Sequence, residues 1–348
     1  MRAQVAVTRV EGSIRSAVRD AMQLADWKRY IPSGSTVALK VNLGWDLFIP
    51  GSITSPAHLE AVILEMKPHV GRLVVVEADQ VLENIETAYR GSGMARICER
   101  HGIEWVNMTR APTTLKQFPD NKILKQIAIP QILDEALLVT LPVMKTHAKT
   151  VLTGSLKNQW GCLPTMRHEY HLVLDDALAD LNSVFRPTLA IMDATVGLEG
   201  NGPKSGIPKI VDKILCSADP VALDTVQAIL MGISPSEVKH LATCAERGVG
   251  CSDREQIEIL GCQPEAEAIP FLRAEHNAVS WVETLLRRSL IKRLFFNTPI
   301  FRLCLFGAKG YYLIWSAFQA KRRWSIVRKH PLYGPQWRAD WPGLDAES

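Results

Sequence analysis

Strand-like and helix-like segments alternate along residues 1–261 and then stop. That rhythm limits the fold more than any other feature, because βα alternation leads to a mainly parallel sheet with helices on both faces. A β-branched run, TVALKVN at 36–42, follows the turn-forming Pro32, Ser33 and Gly34, and a shorter strand pattern covers 5–10. Between them Ile14, Val18, Met22 and Leu24 recur at helical spacing. Ser55 is a natural N-cap for a helix over 56–66 that leads to an apolar strand at 72–77, and a helix at 94–101 leads to a strand at 104–107. A second round begins at Ile127, with strands over 136–141, 188–193 and 256–260 and helices over 175–185, 219–231 and 238–247. Asp219 followed by Pro220 marks one helix start, since Asp caps free amides and Pro is favoured at the first helical position. The expected fold is α/β: two interleaved lobes with mainly parallel sheets and a cleft between them, plus a basic, aromatic, helical C-terminal tail. The expected organisation is an α/β body over 1–261 and an extension over 262–348.

Seven cysteines, at 98, 162, 216, 244, 251, 262 and 304, are scattered without a C-x-x-C pair. This argues against a disulfide framework and against a 4Fe-4S cluster. The opening MRAQVAVTRVEGS goes into strand-like alternation without the apolar stretch of a secretory signal, so the expected location is cytoplasmic. The net charge of +4 conceals an asymmetry: residues 284–339 hold twelve Lys or Arg, no Asp or Glu, and eleven of the 24 aromatics. The rest of the chain carries 28 basic against 36 acidic residues. The longest uncharged run in the tail, 310–320, has eleven residues, against the roughly 20 that a membrane-crossing helix needs. Two readings of residues 285–330 stand level: interfacial contact with an anionic membrane, peripheral at the inner face, or docking on the acidic body. Single-stranded nucleic acid ranks below both.

The segment KTHAKTVLTGSLKNQWGCLP at 145–164 places cations and an imidazole directly after an apolar strand. Open α/β sheets bind ligands beyond their strand ends. Lys145 and His147 share a face, with Lys149 and Lys157 following; clustered ammonium groups lower one another's pKa and call for an anion. Neutral His147 suits proton transfer near pH 7. Lys40 and Asn42 share a face at the end of another strand, where a lysine serves equally well as a solvated edge residue. Glu77 and Asp79 end the next strand and suit a cation, a base or a helix cap. Further on, His168, His171 and Asp175 fall at i, i+3 and i+7, a spacing that suits a divalent metal if the segment is helical, although an acid/base His171 is preferred. The stretch MDATVGLEGNGPKSGIP at 192–208 reads as a long Gly/Pro loop with Asp193 and Glu199 exposed. It matches neither G-x-x-x-x-G-K-[ST] nor G-x-G-x-x-G, which argues against nucleotide binding by either motif. Asp219 and Asp224 read as structural.

These motifs in this order, ALKVNLG (38–44), LPVMKTHAKTVLTGSLKNQWGCLP (141–164), the His171 region, DATVGLEGNGPKSG (193–206), SADPVALDTVQAILMG (217–232) and ERGVG (246–250), resemble the DUF362 family of uncharacterised prokaryotic proteins. The likeness spans about residues 1–261. Family members often carry ferredoxin-type motifs for two 4Fe-4S clusters, which implies redox roles; this chain lacks that pattern. A more distant, fold-level similarity to the nickel-dependent lactate racemase family favours proton or hydride chemistry on a small acid.

The expectation is therefore an enzyme acting on a small anionic substrate in an inter-lobe cleft, an oxidoreductase or a racemase-like isomerase, with metal assistance or redox chemistry left open. His147, His171 and Lys145 are its catalytic candidates. Lys40, Asn42, Lys149, Lys157, Asn158, Asp193 and Glu199 are its binding candidates. The alternative is a non-catalytic ligand- or metal-binding accessory protein held at a membrane by its tail. An oligomer is compatible with either.

Overall fold

The computed structural model of the chain describes residues 2–44, 48–80, 84–164, 170, 173–203, 205–274, 310, 319 and 321–340. The first round comprises β1 (Ala3–Arg9), α1 (Ile14–Leu24), β2 (Thr36–Val41), α2 (Pro56–Met66), β3 (Arg72–Glu77), α3 (Ile85–Gly91), α4 (Met94–His101) and β4 (Glu104–Asn107). A hairpin of β5 (Thr113–Gln117) and β6 (Gln126–Pro130) leads through α5 (Gln131–Glu135) to β7 (Leu137–Leu141), β8 (Val143–His147), β9 (Val151–Thr153), α6 (Ser155–Asn158) and α7 (Leu174–Val184). The body closes with β10 (Leu189–Glu199), β11 (Ile207–Ser217), α8 (Pro220–Leu230), α9 (Lys239–Glu246) and β12 (Ile257–Gly261). Two helices of the tail follow, α10 (Lys321–Arg328) and α11 (Tyr333–Asp340).

Helix starts follow local chemistry. Ser13, Ser55 and Asp219 accept from the first-turn amides of α1, α2 and α8, and Pro56 and Pro220 occupy first-turn positions that need no amide donor.

Both rounds feed one ten-stranded sheet in the order β12-β1-β11-β10-β7-β2-β3-β4, with β8 added on β10 and β9 on β8; β5 and β6 pair separately. The pairs β10/β7, β7/β2, β2/β3 and β3/β4 are all parallel, while β11 runs antiparallel to β1 and β10. The chain winds outward from β2 through β3 to β4 and returns on the other side of β2 as β7. That reversal is a topological switch point, and it opens a crevice beyond the carboxyl ends of β2 and β7.

Alternation within the strands sorts side chains to the two faces. Val37, Leu39, Val41, Leu73 and Val75 join one large apolar cluster with α1, α2 and α4, while Ala38, Val74 and Val76 face the other side. A second large cluster packs α8 and α9 against β10 and β11.

The loop expected over 192–208 is shorter, confined to 200–203 and 205–206 among the described residues. β10 continues as strand to Glu199, and β11 begins at Ile207. Glycines there serve close packing of strands: a Cβ at Gly197 would lie 2.8 Å from the Phe271 ring, and one at Gly202 would lie 2.1 Å from the Thr146 carbonyl oxygen. Strand β10 is buried along its whole length, so the alternation that marks a half-exposed strand is missing from its sequence.

The described end of the tail docks on the body. Trp324, Val327, Tyr333 and Trp337 complete the cluster under α1 and α2, the Tyr333 hydroxyl donates to Asp212 Oδ1 at 2.6 Å, and Arg323 donates to the carbonyls of Ser205 and Gly206. Among the described residues no helix is long and apolar enough to cross a membrane.

Candidate functional site

A cavity of about 110 Å³ lies in the crevice at the switch point. The expected residues Lys40, Asn42, Lys145, His147, Lys157 and Asn158 all line it, together with Glu77, Ser52, Thr153, Trp160 and Gly161. Strand β2 delivers Lys40 and Asn42, β3 delivers Glu77, and β8, which follows β7 after the single residue Pro142, delivers Lys145 and His147. The short helix α6 carries Lys157 and Asn158 across the opening.

Lys40 and Glu77 form a fully buried ion pair, Nζ to Oε2 2.6 Å. The Lys40 ammonium also donates to the Val41 carbonyl at 2.7 Å, and the Glu77 carboxylate accepts from the amides of Ala78 (3.0 Å) and Leu43 (3.3 Å). Each charge therefore has several partners, as burial requires. Gly161 sits against this pair, where a Cβ would lie 2.3 Å from Glu77 Oε1 and 2.6 Å from Lys40 Nζ.

Lys145 lies beside it, 2% exposed, and donates to Asn42 Oδ1 at 2.7 Å and to the Ser52 carbonyl at 2.8 Å. Asn42 Nδ2 in turn donates to Asn158 Oδ1 (3.0 Å), and Asn158 Nδ2 donates to Thr140 Oγ1 (2.8 Å) and the Lys40 carbonyl (3.2 Å). Burial first, then the charge of Lys157, lower the Lys145 amine to about 7. Two of its nitrogen positions are taken by hydrogen bonds, so the remaining one is where a proton is gained or lost.

His147 is half-buried as a residue, with its ring enclosed by protein. Burial and then the charges of Lys157 and Lys149 hold its pKa well below the ordinary imidazole value. Its Nδ1 accepts from the backbone amides of Lys149 (3.0 Å) and Thr150 (3.2 Å). The hairpin that makes this possible is closed by Val151, a β-branched residue at φ 65°. Such a conformation costs on the order of 1–3 kcal/mol and is held by the surrounding structure. Lys157 Nζ stands 5.4 Å from the Trp160 ring centroid, a cation–π distance that steadies the ammonium at the opening. His240 on α9 is buried with neither ring nitrogen hydrogen-bonded, and burial with the charge of Lys157 lowers it to about 3.

Other expected residues lie elsewhere. Asp193 and Glu199, read as exposed, are buried within β10 and do not line the cavity. Asp193 accepts from the Ser55 amide (2.8 Å) and from the Thr195 hydroxyl (2.7 Å), while Glu199 pairs with Lys209 (2.8 Å) and accepts from the Leu272 amide (3.0 Å). Lys149 is exposed and does not line the cavity; its amide donates to His147 Nδ1 and its charge bears on that ring. Asp175 lies in the first turn of α7, where burial raises its pKa; His168 and His171 lie outside the described residues. Among the described residues no group of three or more His, Cys, Asp or Glu is placed to hold a metal. Asp79 anchors the start of α3 through the Ile85 amide, and Asp224 caps α6 through the amides of Ser155 (2.6 Å) and Leu156 (2.9 Å).

Glu77 enters the site as the partner of Lys40, a pairing that needs β2 and β3 in register and has no mark in the sequence. Ser52 contributes a backbone carbonyl, which no residue type announces. Trp160 and Gly161 stand within the lysine-rich motif but were not among the candidates the sequence offered.

Residues 37–228, more than half of the chain, match the model of the domain of unknown function DUF362. The chain belongs to the DUF362 family. That DUF362 region contains every described cavity residue named above. One relative, the thylakoid-associated protein sll1697 of Synechocystis sp., is 28% identical over 127 residues, 34% of this chain and 40% of that protein. The chain thus aligns with less than half of the relative's length. No solved structure matches this DUF362 protein.

Proposed function

We propose that this protein is an enzyme that binds a small anion in the switch-point cavity and moves a proton to or from it through Lys145. The observation that carries the reading is the buried Lys145 amine, lowered to about 7 and fixed by Asn42 Oδ1 and the Ser52 carbonyl, facing a cavity shared with Lys157. A group that titrates near the working pH exchanges protons with least waste of driving force. Lys40 and Glu77 cancel each other's charge, while Lys145 and Lys157 line the same cavity and are the cations we assign to an anion there. The cavity volume of about 110 Å³ sets the scale. A dry cavity of about 150 Å³ holds benzene, so a ligand of about six heavy atoms or fewer fits, such as a short carboxylate or phosphate.

Calorimetric titration with acetate, oxamate and phosphate tests the reading. Binding of at least one of them at millimolar concentration, lost in both Lys145→Met and Lys157→Met, is expected. Absence of binding by all three, or binding unchanged in both variants, overturns it.

A second reading, an accessory protein peripheral to a membrane, draws on the outward face of α10, where Arg322, Arg328 and Ile326 are exposed, and on the thylakoid association named for the relative. Trp324 takes no part in it, because that ring is packed in the body.

A further inference from the structure

The geometry points to His147 as a neutral Nε2–H hydrogen-bond donor that recognises an uncharged carbonyl oxygen on the bound anion, rather than as the proton carrier of the site. This inference rests on the proposed anion cavity and names the chemistry of its ligand more closely.

Two backbone amides of the HAKT turn at 147–150 set the state of the ring. Lys149 N–H and Thr150 N–H both point at Nδ1 of His147, at 3.0 and 3.2 Å. A backbone N–H can only donate, so Nδ1 must present its lone pair. A neutral imidazole carries one proton, which therefore sits on Nε2. Protonating Nδ1 would place an N–H against two other N–H groups and break both bonds. The turn thus fixes the tautomer as well as the orientation of the ring.

The charged surroundings act in the same direction. The lysines whose charges bear on His147 come from several sides: Lys145 from its own strand, Lys149 from the turn and Lys157 from α6; His240 on α9, itself held neutral, also faces it. Burial opposes a positive charge on the ring most strongly, and the lysines oppose it further. His147 thus keeps a donor proton that it does not release and a lone pair that is already used. A neutral imidazole held in this way stabilises a carbonyl oxygen, or the negative charge that develops on it, without itself titrating.

The ligand follows from the pairing of roles. Lys157 supplies an ammonium for a carboxylate, and the His147 Nε2–H supplies a neutral donor for a second, uncharged oxygen in the same cavity. Thr153, opposite Lys145 across β8 and β9, lines the same cavity, and its buried hydroxyl has no hydrogen-bond partner. A small carboxylate with a carbonyl group satisfies this set. A plain alkanoate leaves the Nε2–H unpaired in a buried site, and such a loss costs a recognising site heavily.

The experiment has two arms on the full-length chain. Long-range proton–nitrogen correlation on protein labelled with 15N-histidine, with the ring signals linked to the backbone of His147 by through-bond assignment, reports the tautomer directly. The expected result is the Nε2–H pattern, unchanged between pH 8 and pH 5. An Nδ1–H pattern, or titration of this ring within that range, overturns the inference. The second arm compares oxamate, which carries a carbonyl beside its carboxylate, with propionate, which does not. Oxamate is expected to bind at least tenfold tighter. His147→Gln, which keeps an amide donor, should retain part of that preference, and His147→Phe should abolish it. Equal binding of the two probes by the wild type, or a preference that survives in His147→Phe, refutes the assignment. A variant that fails to fold leaves the wild-type tautomer and the wild-type probe comparison to decide. A chain that binds neither probe nor phosphate fails the anion reading and the carbonyl recognition with it, yet the tautomer measurement still accepts or rejects the donor assignment on its own.

Discussion

Replacing Glu77 by alanine tests the floor of the cavity. The wild-type carboxylate accepts from Lys40 Nζ at 2.6 Å and from two backbone amides at 3.0 and 3.3 Å, with both members of the ion pair 2% exposed or less. The substitution leaves a buried ammonium with the Val41 carbonyl at 2.7 Å and orphans the amides of Leu43 and Ala78. An unsatisfied buried donor costs about 1–3 kcal/mol. Removal of one partner from a buried pair costs about 3–5 kcal/mol in total, since these terms overlap. Against a usual folding stability of about 5–15 kcal/mol, that is a large share. Urea denaturation should show the loss as a lower midpoint at an unchanged slope. The double variant Lys40→Met/Glu77→Leu removes both charges and should recover a substantial part of it. A loss below about 1 kcal/mol for Glu77→Ala, the range of a solvated pair, would mean that water reaches the pair freely and that the cavity floor is not sealed. A double variant that is no more stable than the single one would refute the claim that the orphaned charge dominates.

Anion affinity, followed by calorimetry on the wild type, should fall as pH rises through about 7, because Lys145 loses its proton there; affinity level across that pH would refute the role given to Lys145. The same group makes stability rise between about pH 7 and 10.5: its folded pKa lies below its unfolded value, so the unfolded chain binds the extra proton across that window. Gly161→Ala should destabilise by about 1–3 kcal/mol and impair anion binding, since the added Cβ would overlap Glu77 and Lys40; wild-type binding in this variant would refute the close packing. Trp337→Ala should cost about 3–5 kcal/mol in urea denaturation, as expected for a fully buried ring, whereas a tail merely resting on the surface would show almost none. Co-sedimentation with anionic vesicles, weakened by salt and by Arg322→Gln/Arg328→Gln, is expected if the exposed face of α10 meets a membrane; binding indifferent to both would remove α10 from that role.

The sequence by itself determined the parts of this protein that depend on local chemistry. Ser55 and Pro56 start α2, Asp219 and Pro220 start α8, and the β-branched run at 36–41 is a strand, because caps, fixed backbone angles and side-chain stiffness act within a few residues. The alternation of such segments was enough for an α/β fold with a mainly parallel sheet, and lysines at strand exits were enough to mark Lys40, Lys145 and Lys157. Only the tertiary structure decided which groups meet. Register between β2 and β3 pairs Lys40 with Glu77 across 37 residues of chain. Burial made strand of 192–199 and 207–208, at the two ends of the apparent loop, and it turned Asp193 and Glu199 from candidate ligands into satisfied internal groups. The tautomer of His147 rests on where two amides of a strained hairpin point, a matter of backbone angles near Val151 that no residue type specifies. Composition marks where charge is available; the fold sets how far it is from water and from its neighbours, and that separation fixes what each group can do.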